Sequence, residues 1–155
     1  MPPPTDETSS YQLTESVSYL VNRLGVRLRE LFTEQLAEHG LTVPAYRVLA
    51  ALHHEGDQRL GDLASRTAIE QSTLSRLVSS MQRDGLVSRT RPEDNARTVA
   101  VNLTDRGREL VERVIPLVVE HERTITGGLG EEEVERFRRI LRTMYENLEG
   151  GGGRR

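Results

Sequence analysis

The sequence predicts a mainly α-helical fold with one small β-hairpin, and three observations support this prediction. Apolar residues recur at steps of three and four over most of the chain, which is the period of an amphipathic helix. Between about residues 86 and 103 the pattern changes to that of two short strands around a turn-rich loop. Hydrophobic residues make up 35% of the 155-residue chain and aromatic residues only 4%. Because such a composition is thin for a self-sufficient core, it suggests a helix-rich chain that buries more surface by pairing with a second copy of itself.

Four helices are predicted in the first half of the chain. The hydroxyl of Thr42 can cap the second of them, and Pro44 suits its first turn. The fourth stops at Asp84-Gly85, where glycine suits a left-handed position after the helix end. The predicted ranges are about 11–38, Thr42 to near Gly56, 61–67 and 71–84.

The second half of the chain begins with the hairpin and continues with two long helices. Thr104 can cap the first of these helices, and we expect Pro116 to kink it. After a break at Gly127-Gly128, three glutamates at 131–133 suit the positive end of the last helix. The predicted elements are strands at about 86–91 and 98–103 and helices at about 105–126 and 131–148.

Three helices followed by a hairpin is the element order of a winged helix-turn-helix. We therefore predict a single domain over residues 11–149, flanked by disordered tails at 1–10 and 150–155. Within it, the winged helix-turn-helix covers about 43–103, and the helices at about 11–38 and 105–149 serve dimerisation.

Charge is distributed unevenly along the chain. The net charge is −3, but residues 71–108 alone carry seven basic and four acidic side chains. A local basic surface of this kind is what binding to phosphate requires. All 21 basic residues are arginine, whose planar guanidinium suits phosphate and guanine edges.

The helix predicted at 71–84 has the character of a DNA-recognition helix. Its apolar residues share one face, and small hydroxyl and amide side chains occupy the other, so that the helix can lie deep in a major groove. Its backbone amides at the N-terminus can also meet phosphate. The predicted contacts are Gln71, Ser72, Thr73, Ser75 and Arg76, and Arg76 has two alternative roles, in reading a base or in holding a phosphate.

Several other classes of protein are disfavoured. There is no cysteine, which excludes disulfides and thiolate metal sites, and no apolar run approaches the ~20 residues of a membrane span. His53 and His54 are adjacent, so on a helix they diverge by about 100° and do not easily share a metal ion. We expect no metal, no cofactor and no enzymatic activity, and a cytoplasmic location.

The sequence resembles the MarR family of bacterial transcription regulators from about residue 15 to 148. The motifs that carry this resemblance are Ser72 to Val78, Asp84 to Val87, Arg97 to Val101, Leu103-Thr104 and Gly107. The resemblance implies an intertwined homodimer in which the first and last helices interlock and each protomer contributes one winged-helix lobe. It also implies binding to double-stranded DNA at a palindromic operator, and release of the DNA when a small, often aromatic and anionic, ligand binds.

The wing carries the remaining predicted DNA contacts, Arg91, Asn95 and Arg97. The resemblance implies that Arg97, at the wing tip, enters a minor groove, where arginine gains from the negative potential of narrow A·T-rich stretches. The family usually has Asp two residues before this Arg, and here that position is Asn95, with Asp94 beside it. Either Asp94 or Asn95 is expected to orient the Arg97 guanidinium.

A ligand site is predicted where the winged helix meets the dimerisation helices, near Tyr19, Arg23, Tyr46 and His53. These are polar groups in otherwise apolar stretches, and arginine with tyrosine would suit an aromatic carboxylate. Two other functions have less support. One is a protein-interaction module that has lost DNA binding, against which Arg76 and Arg97 argue, and the other is a small enzyme, for which no catalytic grouping is present. The operator sequence, the effector and the choice between repression and activation stay open.

Overall fold

A computed structural model of the chain describes residues 11–90 and 99–151, and the predicted helical fold with a small sheet is confirmed there. A short 3₁₀ helix at Leu13–Glu15 precedes the main elements. In chain order these are α1 (Val17–Ala37), α2 (Val43–Glu55), β1 (Gln58–Arg59), α3 (Leu60–Thr67), α4 (Gln71–Arg83), β2 (Val87–Thr90), β3 (Ala100–Leu103), α5 (Asp105–Ile125) and α6 (Glu131–Gly151). The predicted tail at 1–10, the wing loop and residues 152–155 lie outside the described residues.

The first helix begins later than its apolar stripe predicts. Ser16 has an extended backbone, with φ −71° and ψ 136°, and its hydroxyl accepts a hydrogen bond from the Tyr19 amide at 3.3 Å. Ser16 is therefore the N-cap of α1, and it separates that helix from the 3₁₀ turn. Periodicity alone could not detect this break, because Leu13 and Val17 keep the spacing of a continuous helix.

Two helix ends in the winged helix are as predicted. The Thr42 hydroxyl accepts from the Ala45 amide at 3.3 Å, and Pro44 lies in the first turn of α2. At the end of α4, Gly85 has φ +70°. Its amide donates to the Gln82 carbonyl at 3.1 Å, and the next amide, of Leu86, donates to the Met81 carbonyl at 2.9 Å. This pair of bonds is a Schellman motif, which turns the chain sharply from α4 into β2.

The sheet has three strands in the order β1-β3-β2, and both pairs are antiparallel. The predicted hairpin forms, with Val87 opposite Leu103 and Thr90 opposite Ala100. Strand β1 was not predicted, because a two-residue strand has no measurable alternation. Asn102 links all three strand regions. Its Nδ2 donates to Asp57 Oδ2 at 3.1 Å, and the Thr90 hydroxyl donates to its Oδ1 at 3.3 Å.

The chain divides into two compact units, Met1–Pro116 and Leu117–Arg155, so the division falls inside α5. The first unit contains the apolar core. Its fully buried large side chains are Leu36, Val48, Leu49, Leu63, Leu74, Val78, Val87, Val101, Val111 and Val114. α5 continues through Pro116 as an α-helix, and the expected kink there stays a prediction.

A tight junction joins the exit of α4 to the first turn of α5. The Thr104 hydroxyl donates to the Gly85 carbonyl at 2.6 Å and accepts from the Gly107 amide at 3.1 Å, so it caps α5 as predicted. The Thr104 amide donates to the Leu86 carbonyl at 3.2 Å. Gly107 is buried, and a Cβ built on it would lie 2.0 Å from the Leu86 oxygen. Only glycine fits this position without displacing backbone.

The second unit consists of the end of α5 and α6. Arg138 donates to Glu122 at 3.1 Å, and Arg138 and Arg142 each lie 3.7 Å from Glu135. α6 continues to Gly151, two residues into the stretch predicted as a tail. Within residues 11–90 and 99–151, no helix is long and apolar enough to cross a membrane.

Large apolar side chains are exposed along α1 and its preceding turn, and separately along the end of α5 and α6. In the first unit they are Tyr11, Leu13, Val17, Leu20, Val21, Leu24 and Val26. In the second unit they are Leu117, Val119, Leu129, Phe137, Ile140, Leu141, Tyr145 and Leu148. Exposed patches of this extent on a small protein usually mark an interaction surface.

Candidate nucleic-acid interface

Helix α4 has one buried and one exposed face, as its sequence predicts. Leu74, Val78 and Met81 are buried in the core of the first unit. The predicted groove contacts Gln71, Ser72, Thr73 and Arg76 are exposed, and Ser75 is half-buried. These side chains are therefore displayed together on the surface of the winged helix, where a DNA groove could reach them.

The N-terminus of α4 is capped by Glu70, which the sequence analysis did not single out. One oxygen of its carboxylate accepts from the Ser72 amide at 2.9 Å and the other from the Thr73 amide at 3.0 Å. The Ser72 hydroxyl also donates to this carboxylate. The hydrogen bonds from the Ser72 side chain and from the two amides lower the pKa of Glu70 to about 2.

This cap corrects the prediction that the first amides of α4 meet a DNA phosphate. Two of those amides already donate to a carboxylate, and a second anion beside it would be repelled. The signal was present in the sequence, because an acidic residue directly before Gln71 occupies the N-cap position.

Arg89 is the second residue that the sequence analysis missed. It lies on β2, and its Nη2 donates to the Ser75 carbonyl and to the Ser79 hydroxyl oxygen, each at 3.0 Å. Ser79 in turn donates to the Ser75 carbonyl at 2.8 Å. Arg89 therefore joins the wing strand to the middle of α4. The signal was its spacing two residues after buried Val87, since residues two apart on a strand point to the same face.

Beside α4 the surface forms an open cleft of about 720 Å³. Its lining residues are Ser75, Arg76, Ser79, Gln82, Arg83 and Arg89. Three of the six are arginines and none is acidic. The Arg76 Nε lies 3.4 Å from the Ser72 carbonyl, to which it donates, so this side chain runs along the helix. The cleft is a strongly positive concave surface formed by α4 and β2.

The predicted wing contacts Arg91, Asn95 and Arg97, together with Asp94, lie outside the described residues. β2 ends at Thr90, one residue before this segment, and β3 begins at Ala100. The role of Arg97, and the choice between Asp94 and Asn95 as its partner, stay predictions.

Of the four predicted ligand residues, Tyr46 lies beside a concavity on the surface of the first unit. Tyr46 packs edge-on against Phe32, with ring centroids 5.2 Å apart, and burial raises the pKa of its hydroxyl. Tyr46 also lines a concavity of about 440 Å³ with Arg47, Ala50, Ala51, Arg66, Thr67 and Ala68. Tyr19, Arg23 and His53 do not line it. Tyr19 is half-buried and Arg23 exposed on α1.

His53 has one unusual feature. Its Nδ1 is buried and has no hydrogen-bond partner among the described residues. Leaving a buried polar atom unpaired costs free energy. The Nδ1 of its neighbour His54 lies 3.3 Å from Glu55 Oε1. Within the described part of the chain, no three His, Cys, Asp or Glu side chains cluster as metal ligands.

Comparison with known proteins agrees with this architecture. The MarR family matches residues 39–98. The transcriptional repressor NicR of Pseudomonas putida is 28% identical over 149 residues, which cover 96% of this chain and 94% of the repressor.

Two solved structures extend the similarity to the fold. A structure concerning the regulation of DNA binding of Bordetella bronchiseptica BpsR by 6-hydroxynicotinic acid has a TM-score of 0.80 and 30% identity, covering 87% of this chain and 96% of BpsR. The repressor CouR, bound to a 23-mer DNA duplex, has a TM-score of 0.78 and 27% identity, covering 86% of this chain and 94% of CouR. The chain thus belongs to the MarR family and is a DNA-binding regulator of transcription.

Proposed function

We propose that the chain is a homodimeric, ligand-responsive repressor that binds a palindromic DNA site through α4 and the wing. The observation that carries this proposal is the exposed polar face of α4 beside a cleft with three arginines and no acid. In this arrangement, Thr73, Ser75 and Arg76 reach base edges or phosphates from the major groove. Arg97 reaches the neighbouring minor groove.

The dimer is supported by the exposed apolar faces of α1 and α6. A two-fold dimer places two copies of α4 against two half-sites about 10 bp apart, one turn of the duplex. Such a protein acts where the chromosome is, in the cytoplasm, and its role is regulatory rather than enzymatic.

The effector is proposed to be a small aromatic acid. The DNA binding of BpsR is regulated by 6-hydroxynicotinic acid, which belongs to this class. In this chain Tyr19, Arg23, Tyr46 and His53 are the proposed contacts, and the Nδ1 of His53, which has no partner among the described residues, offers a hydrogen-bonding group. A ligand weakens DNA binding only if it prefers the dimer geometry that fits DNA less well.

DNA selection tests the central claim. Random duplexes are selected with the wild-type protein, and the winning sequence is compared with the DNA that the protein protects beside its own gene. We expect a palindrome, and a binding constant that falls steeply with salt. Arg76→Ala should weaken binding by about 1–3 kcal/mol, with loss of preference at one position if Arg76 reads a base. Failure to select any duplex would refute the proposal.

The effector is tested separately with a panel of benzoic and pyridinecarboxylic acids. We expect at least one to release the selected duplex, and Arg23→Ala to raise the concentration required. Release that is unaffected by changes at all four proposed positions would place the ligand site elsewhere.

A further inference from the structure

The cleft lies between the proposed recognition helix α4 and the wing strand β2. If α4 lies in a major groove and the wing in the next minor groove, the sugar-phosphate backbone that separates those grooves must pass between helix and hairpin. The cleft lies at this junction, since α4 supplies five of its lining residues and β2 supplies Arg89.

We propose that this cleft binds one phosphate of the DNA backbone, and that Arg89 is the positioning residue that holds the wing strand and α4 in register around it. This inference rests on the proposed DNA-binding function. It adds Arg83 and Arg89 to the interface and gives Arg76 the phosphate-binding one of its two alternative roles.

The hydrogen bonds of Arg89 show how it acts. Guanidinium has five N–H donors, and the two on Nη2 go to the Ser75 carbonyl and the Ser79 hydroxyl. Nε and Nη1 have no partner among the described residues, and they remain for a phosphate oxygen. One half of the fork therefore binds α4 and the other half is available to an anion.

The charge pattern along α4 places a phosphate in this cleft and not at the helix N-terminus. Glu70 occupies the first amides of α4 with a carboxylate. The cleft, lined from Ser75 to Arg83, carries only positive charge. A phosphate is thus repelled at one end of the helix and attracted beside its middle, which fixes how far α4 advances along the groove.

Five variants and two duplexes separate the charge of the cleft from its geometry. The duplexes are the one selected by the wild-type protein and one of random sequence and equal length, and each is titrated from 50 to 300 mM NaCl. Arg83→Ala removes a charge. Arg89→Ala removes a charge and the link to α4, Arg89→Lys keeps the charge but not the fork, and Ser79→Ala removes one acceptor without changing charge. Arg29→Ala, at an exposed position on α1, is the matched control for the loss of one arginine.

Arg83→Ala should weaken binding to both duplexes by the same factor. The salt slope should become shallower by about 0.9 for each phosphate that the variant no longer neutralises, or about 2 for a dimer. Arg89→Ala should weaken binding to the selected duplex at least about 10-fold, and more than binding to the random one. Arg89→Lys and Ser79→Ala should keep the wild-type salt slope and lose part of the preference for the selected duplex.

Circular dichroism and sedimentation confirm for each variant that the dimer is folded. Should Arg89→Ala unfold, Ser79→Ala and Arg83→Ala still decide the question. The inference is overturned if Arg83→Ala and the Arg89 variants match Arg29→Ala on both duplexes, while the wild-type protein binds its selected duplex normally. If the wild-type protein binds neither duplex above background, the proposed function itself has failed.

Discussion

The winged helix and the helices that flank it differ in how they bury their apolar residues. Around α2, α3 and α4, large side chains such as Val48, Leu63 and Leu74 are completely buried within the chain. On the flanking helices, Val17 on α1 is 58% exposed and Phe137 on α6 is 44% exposed. One region closes its own core, and the other presents apolar surface that a second copy can cover. The same amphipathic period in the sequence therefore marks helices that pack inside the chain and helices that present an apolar surface. Only the burial of their side chains distinguishes the two.

The largest expected effect is on dimer assembly, and it tests whether the exposed apolar face of α6 forms the interface. Ile140→Glu on α6 should convert the proposed dimer to a monomer at micromolar concentration, because an unpaired charge buried at an interface costs about 3–5 kcal/mol per protomer. Sedimentation velocity measures the change. Arg139→Glu, about 100° around α6 from Ile140, changes the charge by more and should leave the dimer intact. A dimer in both variants would show that this apolar face is not the interface.

The second prediction tests the closed region at its tightest point. Gly107→Ala should lower the free energy of unfolding by about 3 kcal/mol or more, because its Cβ would meet the Leu86 carbonyl, which is backbone and cannot move aside easily. Gly61→Ala is the control, since its Cβ meets nothing within 4 Å on an exposed turn of α3. There alanine should stabilise by up to about 1 kcal/mol. Urea unfolding at one fixed protein concentration measures the free energy of unfolding of both variants. Equal effects would contradict the tight packing of Gly107 on Leu86.

The third prediction concerns the turn between α3 and α4. Ala68 adopts a left-handed conformation, with φ 53° and ψ 40°, which costs a non-glycine residue about 1–2 kcal/mol. Ala68→Gly should therefore raise the melting temperature. The free energy of unfolding should rise by about 0.5–1 kcal/mol, because the relief of the backbone strain exceeds the entropy that glycine adds to the unfolded chain. Ala50→Gly, within α2, should instead lower the free energy of unfolding by about 1 kcal/mol. Calorimetry that finds the same sign at both positions would rule out strain at Ala68.

The smallest effect is at Glu70 and depends on pH. Its lowered pKa means that the folded state favours the carboxylate, so its stabilising contribution is complete above the ordinary pKa of about 4.5 and disappears as pH falls towards 2. The stability difference between the wild-type protein and Glu70→Gln should be constant from pH 7 to 5 and shrink at lower pH. Denaturant unfolding at each pH measures this difference. If the stability curves of the two proteins stay parallel down to pH 2.5, the Glu70 carboxylate does not stabilise the helix as its N-cap.

The elements that the sequence predicted well are those specified by local chemistry. Thr42, Gly85 and Thr104 act as caps or turns because each needs only its near neighbours and a suitable backbone. The periods of three to four and of two identified the long helices and the hairpin. Strand β1 was missed because its two residues are too few to show an alternation.

The parts of the site that the sequence did not predict depend on contacts between elements or on competition for one group. Arg89 contacts a carbonyl 14 residues earlier, and its spacing from Val87 indicates the face of the strand but not this partner. Glu70 satisfies amides that were assigned to DNA, and the result depends on side-chain geometry at the cap. The four proposed ligand residues were chosen for polarity in apolar stretches, a pattern that does not specify which of them share a cavity.

The junction at Thr104 and Gly107 limits where the molecule can hinge. Hydrogen bonds of 2.6 and 3.2 Å tie Thr104 to the Gly85 and Leu86 carbonyls, and Gly107 packs directly on Leu86. The end of α4 and the start of α5 therefore form one rigid elbow. In the proposed dimer, any movement of α4 therefore carries the first turn of α5 with it.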